Sequence, residues 1–198
     1  LQRNRPLYTL ETDVSTDICI VGGGISGVMT AYNILKYTNH KVLILDSYEI
    51  AHGATGHNGG QLVPELERSL ASLVAEYGLQ DSVELLKSID SAWIILEEVI
   101  RDTGLTMPYS TFIGYDIYTT EKQIHERLAD LALAHEGGLH NRKMYIAAEF
   151  VDKMTLPENY SQYYEVIPHE SILSLCESIN PDYIAAYPIR KGCLNSAV

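Results

Sequence analysis

The chain has 198 residues, 46% hydrophobic and 20% charged, with a formal net charge of -12. That is enough chain for one large globular domain or one and a half ordinary ones. With 14 Lys and Arg against 26 Asp and Glu, it lacks the basic footprint that binds nucleic acid or an anionic membrane surface.

No apolar run is long enough to span a bilayer. The apolar stretch at 92–100 is broken by Glu97 and Glu98. Three widely spaced cysteines, Cys19, Cys176 and Cys193, suggest neither a disulfide framework nor a metal-binding pair, so a reducing, cytoplasmic setting is expected. Cys19 is expected to be a small core residue.

Residues 1–16 read as an irregular lead-in. Ile18 to Val21 read as a buried parallel strand, ended by glycines 22–24. A helix is predicted from Ile25 to Tyr37, with Val28, Ala31, Ile34 and Leu35 facing inward. Val42 to Leu45 form a second strand ending at Asp46, which completes a βαβ unit. A glycine-rich loop fills 49–62. A helix is predicted over 64–77 with Gly78 as its stop, and then one long helix from Val83 to Ile100 with Gly104 after its last turn.

Residues 111–119 alternate as a strand. Thr120 and Gln123 have capping-box spacing for a helix ending near Gly137. A strand over 144–148, a short helix over 170–177 and a strand over 183–187 follow. Residues 192–198 read as the opening turn of another helix, so the chain is expected to be the front part of a longer protein.

Gly22-Gly23-Gly24-Ile25-Ser26-Gly27 matches G-x-G-x-x-G. The first glycine permits a tight turn, the second lets a pyrophosphate approach the backbone, and the third lets the helix pack closely on the sheet. The phosphates then meet free N–H groups at the positive end of a helix dipole. Asp46 can accept hydrogen bonds from both ribose hydroxyls. It also repels a 2′-phosphate by roughly 1 to 4 kcal/mol at about 4 Å, which makes NADP the poorest candidate. The turn alone does not separate FAD from NAD.

The next loop, His52-Gly53-Ala54-Thr55-Gly56-His57-Asn58-Gly59-Gly60-Gln61, departs from an NAD-binding unit, which proceeds to another helix and strand. Its small residues lay backbone N–H groups beside a large cofactor and let a flat ring pass close.

On "DICIVGGGISGVMTAYNIL", "VLILDS" and above all "GATGHNGGQL", the chain resembles the FAD-dependent oxidoreductases of the D-amino acid oxidase type. These include glycine and sarcosine oxidases and D-amino acid dehydrogenases. The last stretch looks like that family's "GASGRNGG" element, with Thr55 in the Ser position and His57 in the Arg position. The specific likeness covers about residues 17–63.

The resemblance implies an α/β fold: a Rossmann-like FAD-binding βαβ unit with part of an α+β substrate domain, incomplete within this chain. Residues 1–63 would be the front of the FAD-binding domain, and 64–198 a helical segment and the start of the substrate domain. It implies FAD as cofactor. Gly22, Gly24, Ile25, Ser26 and Gly27 would hold the pyrophosphate. Asp46, with Ser47 beside it, would bind the adenosine ribose. Thr55, Gly56, His57 and Asn58 would run past the pyrophosphate and ribityl chain, and Gly60, Gln61 and Leu62 would reach the flavin ring.

The implied reaction is hydride transfer from the carbon beside an amine nitrogen to flavin N5, with an amine or amino acid as substrate and no dedicated acid–base residue. Two alternatives stay open: a flavoprotein dehydrogenase with another carbon donor, and a non-catalytic dinucleotide-binding fragment.

His57 invites covalent flavin attachment, but hydrogen bonding to phosphate or backbone is the commoner fate of such a residue. Arg142 and Arg190 have the chemistry to clamp a carboxylate. Tyr109, Tyr115 and Tyr118 lie on or beside one candidate strand and read as packing residues.

Overall fold

A computed structural model describes residues 8–105, 109–140 and 142–194. The chain divides into two compact units, with 8–61 in the first and 62–193 in the second.

In the first unit, 8–16 carry no regular element. Strand β1 (Ile18–Val21) leads into helix α1 (Ile25–Tyr37) and strand β2 (Val42–Leu45). β1 and β2 pair in parallel, Ile18 opposite Val42 and Val21 opposite Leu45. The start of the pair is held by side chains: Thr16 Oγ1 donates to the Lys41 carbonyl at 2.7 Å, and Asp17 Oδ2 accepts from the Lys41 N–H at 2.8 Å.

α1 covers one face of this ribbon, with Ala31 buried and Ile34 half-buried. Only the alternate residues Ile18 and Ile20 lie under it, because side chains of a strand point alternately to opposite faces. Cys19 is therefore exposed, and Val21 on the same side is 85% exposed. This corrects the expectation of a fully buried strand and a core cysteine. Val28 and Leu35 also lie on the solvent side of α1, not the inner one.

Strand β3 is the two-residue Gln61–Leu62. Helix α2 (Leu70–Tyr77) is shorter than expected: Ser69 caps it, its side chain accepting from the Ser72 N–H, and 64–69 are irregular. The long helix expected over 83–100 is two helices, α3 (Leu79–Asp90) and α4 (Ala92–Thr103). Their apolar periodicity runs on without a break, but serine hydroxyls compete for the backbone at the junction. Ser88 donates to the Leu85 carbonyl at 2.7 Å, and Ser91 to the Ser88 carbonyl at 2.6 Å.

Strand β4 (Tyr109–Tyr118) is followed by α5 (Glu121–Glu136), whose capping box between Thr120 and Gln123 is formed as predicted. Then come β5 (Met144–Ala147), α6 (Ala148–Val151), β6 (Tyr164–Ile167), α7 (His169–Leu175) and β7 (Ala185–Leu194). α6 and β6 were not expected. Residues 192–194, read as a helical turn, continue β7 instead, and 195–198 lie outside the described residues.

The sheet order is β3-β7-β5-β6, with β4 also on β7. β5 runs parallel to β6 and antiparallel to β7. The main core lies between α5 and this sheet, where Ile124, Leu128, Met144 and Ile146 are completely buried. A smaller cluster of Ala147, Ile172 and Ala186 sits with α7. Among the described residues, no helix is long and apolar enough to cross a membrane.

Candidate functional site

The turn from β1 into α1 has the mechanics its spacing implies. Gly22 adopts φ +107°, a region closed to side chains with a Cβ. Its N–H donates to the Leu45 carbonyl at 2.7 Å, which fixes the turn to the end of β2. A Cβ on Gly27 would overlap the Gly22 carbonyl oxygen, so the helix sits where only a glycine allows.

α1 has no cap from its own N-cap residue, Gly24. The Thr55 hydroxyl takes that part from 30 residues away, its Oγ1 accepting from the Ile25 N–H at 3.0 Å. Among the described residues, nothing accepts from the N–H groups of Ser26 and Gly27, as expected for the first turn of a helix. Two open amides, a threonine hydroxyl with a proton left to donate, and the positive end of a 13-residue helix make an anion cradle. This is the chemistry that FAD pyrophosphate needs, and the residues present fit it.

Asp46, exposed, closes the other side. Its Oδ2 accepts from the Gly23 N–H at 2.6 Å and its Oδ1 from the Tyr48 N–H at 3.1 Å. These backbone hydrogen bonds, Gly23 first, hold its carboxyl below the usual aspartate range. Each oxygen keeps a lone pair for a ribose hydroxyl. Ser47 is exposed next to it. Sequence reasoning missed Gly23 as the anchor of Asp46 and Ile50, whose side chain lies against Gly23. The second position of G-x-G is nominally free, so nothing in the motif marked it.

The second loop folds onto itself. Ala54 to Gly56 form one 3-10 turn. Asn58 spends its side chain inside the loop: Nδ2 donates to the Ala54 and Thr55 carbonyls at 3.1 and 2.7 Å, and Oδ1 accepts from the Gly60 N–H at 2.7 Å. Gly60 is buried at φ +67°. His57 Nδ1 lies 3.0 Å from the Gly53 carbonyl. A carbonyl only accepts, so Nδ1 is the donor in this bond. The His52 ring packs edge-on between Tyr48 and His57. Gln61 is exposed, and the half-buried Leu62 belongs to the second unit.

In the second unit Arg142 pairs with Asp90, and Arg190 with Glu97 at 2.9 Å. Both line one cavity, together with an arginine that the sequence did not single out, Arg127. Arg127 Nε donates to the Tyr118 hydroxyl at 2.6 Å, and Nη2 lies 3.3 Å from Asp116 and 3.5 Å from Glu65. Lys191 pairs with Asp116 at 3.0 Å. Burial first, then the Asp116 carboxylate beside it, pushes Glu65 above the usual glutamate range. Burial pushes the Tyr118 phenol up to about 12. Tyr115 packs in the α7 cluster, while Tyr109 is exposed. No group of three or more His, Cys, Asp or Glu among the described residues is arranged to hold a metal.

Several known proteins are similar to this chain. Gamma-glutamylputrescine oxidoreductase of Escherichia coli strain K12 is 34% identical over 98 residues, covering 48% of this chain and 22% of that protein. A probable oxidoreductase of Haemophilus influenzae is 24% identical over 158 residues, 78% of this chain and 33% of that protein. An L-amino-acid oxidase of Echis ocellatus is 25% identical over 122 residues, 56% of this chain and 24% of that protein. The matched stretches thus span between 22% and 33% of these relatives. Residues 17–166 match the family described as FAD dependent oxidoreductase, DAO. That match takes in both the α1 cradle and the start of the second unit, so the chain belongs to the FAD-dependent oxidoreductases, with a Rossmann-like FAD-binding βαβ unit and FAD as its cofactor.

Proposed function

We propose that the protein carrying this chain oxidises the C–N bond of an amino acid or another amine. Bound FAD would supply the hydride acceptor at N5. The observation that carries this reading is the α1 cradle, in which open amides, Thr55 and Asp46 converge at the end of a βαβ unit. Two of the relatives are named for a glutamylated amine and for L-amino acids, which supports a nitrogen-bearing substrate.

In this reading residues 1–63 are the front of the FAD-binding domain, and 64–198 open the substrate domain. Gly22, Gly24, Ile25, Ser26 and Gly27 bind the pyrophosphate, while Asp46 and Ser47 orient the adenosine ribose. Thr55 holds the start of α1 and turns its hydroxyl proton to the phosphate. Gly56 and His57 follow the ribityl chain, with Asn58 shaping their loop from within. Gly60, Gln61 and Leu62 lead to the ring. The setting is the cytoplasm, and the substrate is a small molecule.

The test is anaerobic mixing of the full-length holoprotein with a panel of primary and secondary amines and of D- and L-amino acids. Loss of the oxidised flavin band with at least one of them is expected. Bleaching by hydroxy acids but no amine would contradict the reading, as would bleaching by dithionite alone.

A further inference from the structure

Residues 64–68 run between two anchored elements. Before them, β3 is hydrogen-bonded to β7. After them, the Ala71 N–H at the start of α2 donates to Asp130 Oδ1 on α5 at 2.8 Å. Between these points, among the described residues, no backbone group of 64–68 makes a hydrogen bond. A stretch without backbone bonds is held in place by its side chains.

Two of those side chains are charged and paired. Arg68 turns toward α2, where it meets Glu76 at 2.7 Å. Glu65 reaches α5 instead, its Oε1 3.5 Å from Arg127 Nη2. Only Val63 and Pro64 separate Glu65 from Leu62, and the fixed φ of proline leaves that link little slack.

Arg127 is a firm anchor. Its Nε donates to the Tyr118 hydroxyl at 2.6 Å, its guanidinium lies 4.6 Å from the Tyr187 ring centre, and Nη2 also lies 3.3 Å from Asp116. Bonds along its edge and a ring at its face leave the planar group one orientation. Asp116 is paired in turn with Lys191 at 3.0 Å, so two cations face two carboxyl groups and Arg127 keeps charge for Glu65. Tyr118, Tyr187 and Asp116 all lie outside 64–68, so the anchor remains when Glu65 is removed.

We infer that Glu65 is a positioning residue for the cofactor: its bond to Arg127 holds 64–68 in place and so sets where the preceding Gln61 and Leu62 meet the flavin ring. This rests on the reading that those two residues lead to the ring. Glu65 acts through the chain and without contact to the flavin.

The experiment compares Glu65→Ala and Glu65→Gln with the wild type, each as full-length holoprotein. Trypsin cleavage after Arg68 reads how firmly the stretch is held, because nicking follows the population of the locally open form. Visible circular dichroism of bound FAD reads the surroundings of the ring. The paired side chains are 32% and 26% exposed, so their separation should speed nicking by a modest factor, about two- to fivefold. The FAD dichroism of Glu65→Ala should change with it. Glu65→Gln keeps an oxygen that accepts from Arg127 and should lie nearer to the wild type than to Glu65→Ala in both readouts.

Glu65→Ala nicked at the wild-type rate overturns the inference. Faster nicking with unchanged dichroism also overturns it, because the stretch would then place nothing at the ring. A Glu65→Gln variant no nearer to the wild type than Glu65→Ala does the same. No amine enters either readout, so this test and the amine panel can fail separately.

Discussion

Replacing Gly27 by alanine tests the cradle at its tightest point. The new Cβ would overlap the Gly22 carbonyl oxygen and lie 3.1 Å from the Gly22 carbonyl carbon and 3.2 Å from Ile20 Cγ2. The obstacle is backbone, held in a left-handed turn and hydrogen-bonded to Leu45, so no side-chain rotation relieves it. α1 must lift from β1. Overpacking of this kind costs about 1–3 kcal/mol of stability.

The lift also turns the Ser26 and Gly27 amides away from the phosphates. A hydrogen bond to a charged group is worth about 1.5–3 kcal/mol, so losing one should weaken FAD binding by roughly tenfold to a hundredfold. Quenching of flavin fluorescence on titration into the deflavinated full-length protein measures the affinity, and urea denaturation measures the stability. If Gly27→Ala binds FAD as tightly as the wild type, the close packing of α1 on the turn does not hold the cofactor site.

Three further outcomes are expected. Glu65 holds its proton more tightly in the folded chain than in the unfolded one. The stability this gives is complete below the usual glutamate range and is lost as pH rises through the raised value. Glu65→Gln should therefore raise the melting temperature near neutral pH, with the gain shrinking toward pH 4; a gain independent of pH would contradict the assignment. Tyr118→Phe removes the 2.6 Å partner of Arg127 Nε and should cost about 1–2 kcal/mol in urea denaturation, with Asp116 still holding the guanidinium. Thr120→Ala removes the hydroxyl that accepts from the Gln123 N–H, while the arm from the residue 120 backbone N–H to Gln123 Oε1 stays, and should cost about 0.5–2 kcal/mol, measured the same way.

The elements legible in the sequence are those governed by local chemistry. The glycine spacing at 22–27 gave the strand, turn and helix because each glycine answers a constraint within a few residues. The Thr120–Gln123 box announced α5 for the same reason. The α3–α4 break was hidden, because the apolar rhythm continues through it and only the hydroxyl bonds of Ser88 and Ser91 divide it. The stretch 64–69 has helical spacing, yet Glu65 is drawn to Arg127, 62 residues away, and helix begins only at the Ser69 cap. The exposure of Cys19 depends on which face α1 covers, which an apolar run does not reveal.

Within the candidate site, the glycines and Asp46 could be named from spacing. The Thr55 bond to Ile25 and the Gly23 bond to Asp46 connect residues 30 and 23 positions apart, and pattern reading does not reach that far. The same limit hid Arg127, whose partners come from the loop before α2 (Glu65) and from strands β4 and β7 (Asp116, Tyr118 and Tyr187).

The most direct test of the central claim, that the α1 cradle holds FAD, is an absorbance spectrum of the purified full-length protein and of its Gly27→Ala variant, before and after acid precipitation. The account predicts flavin bands in the wild type that move to the supernatant with acid, and weakened or absent bands in the variant. A colourless wild type that takes up no added FAD would contradict it, as would a variant as yellow as the wild type.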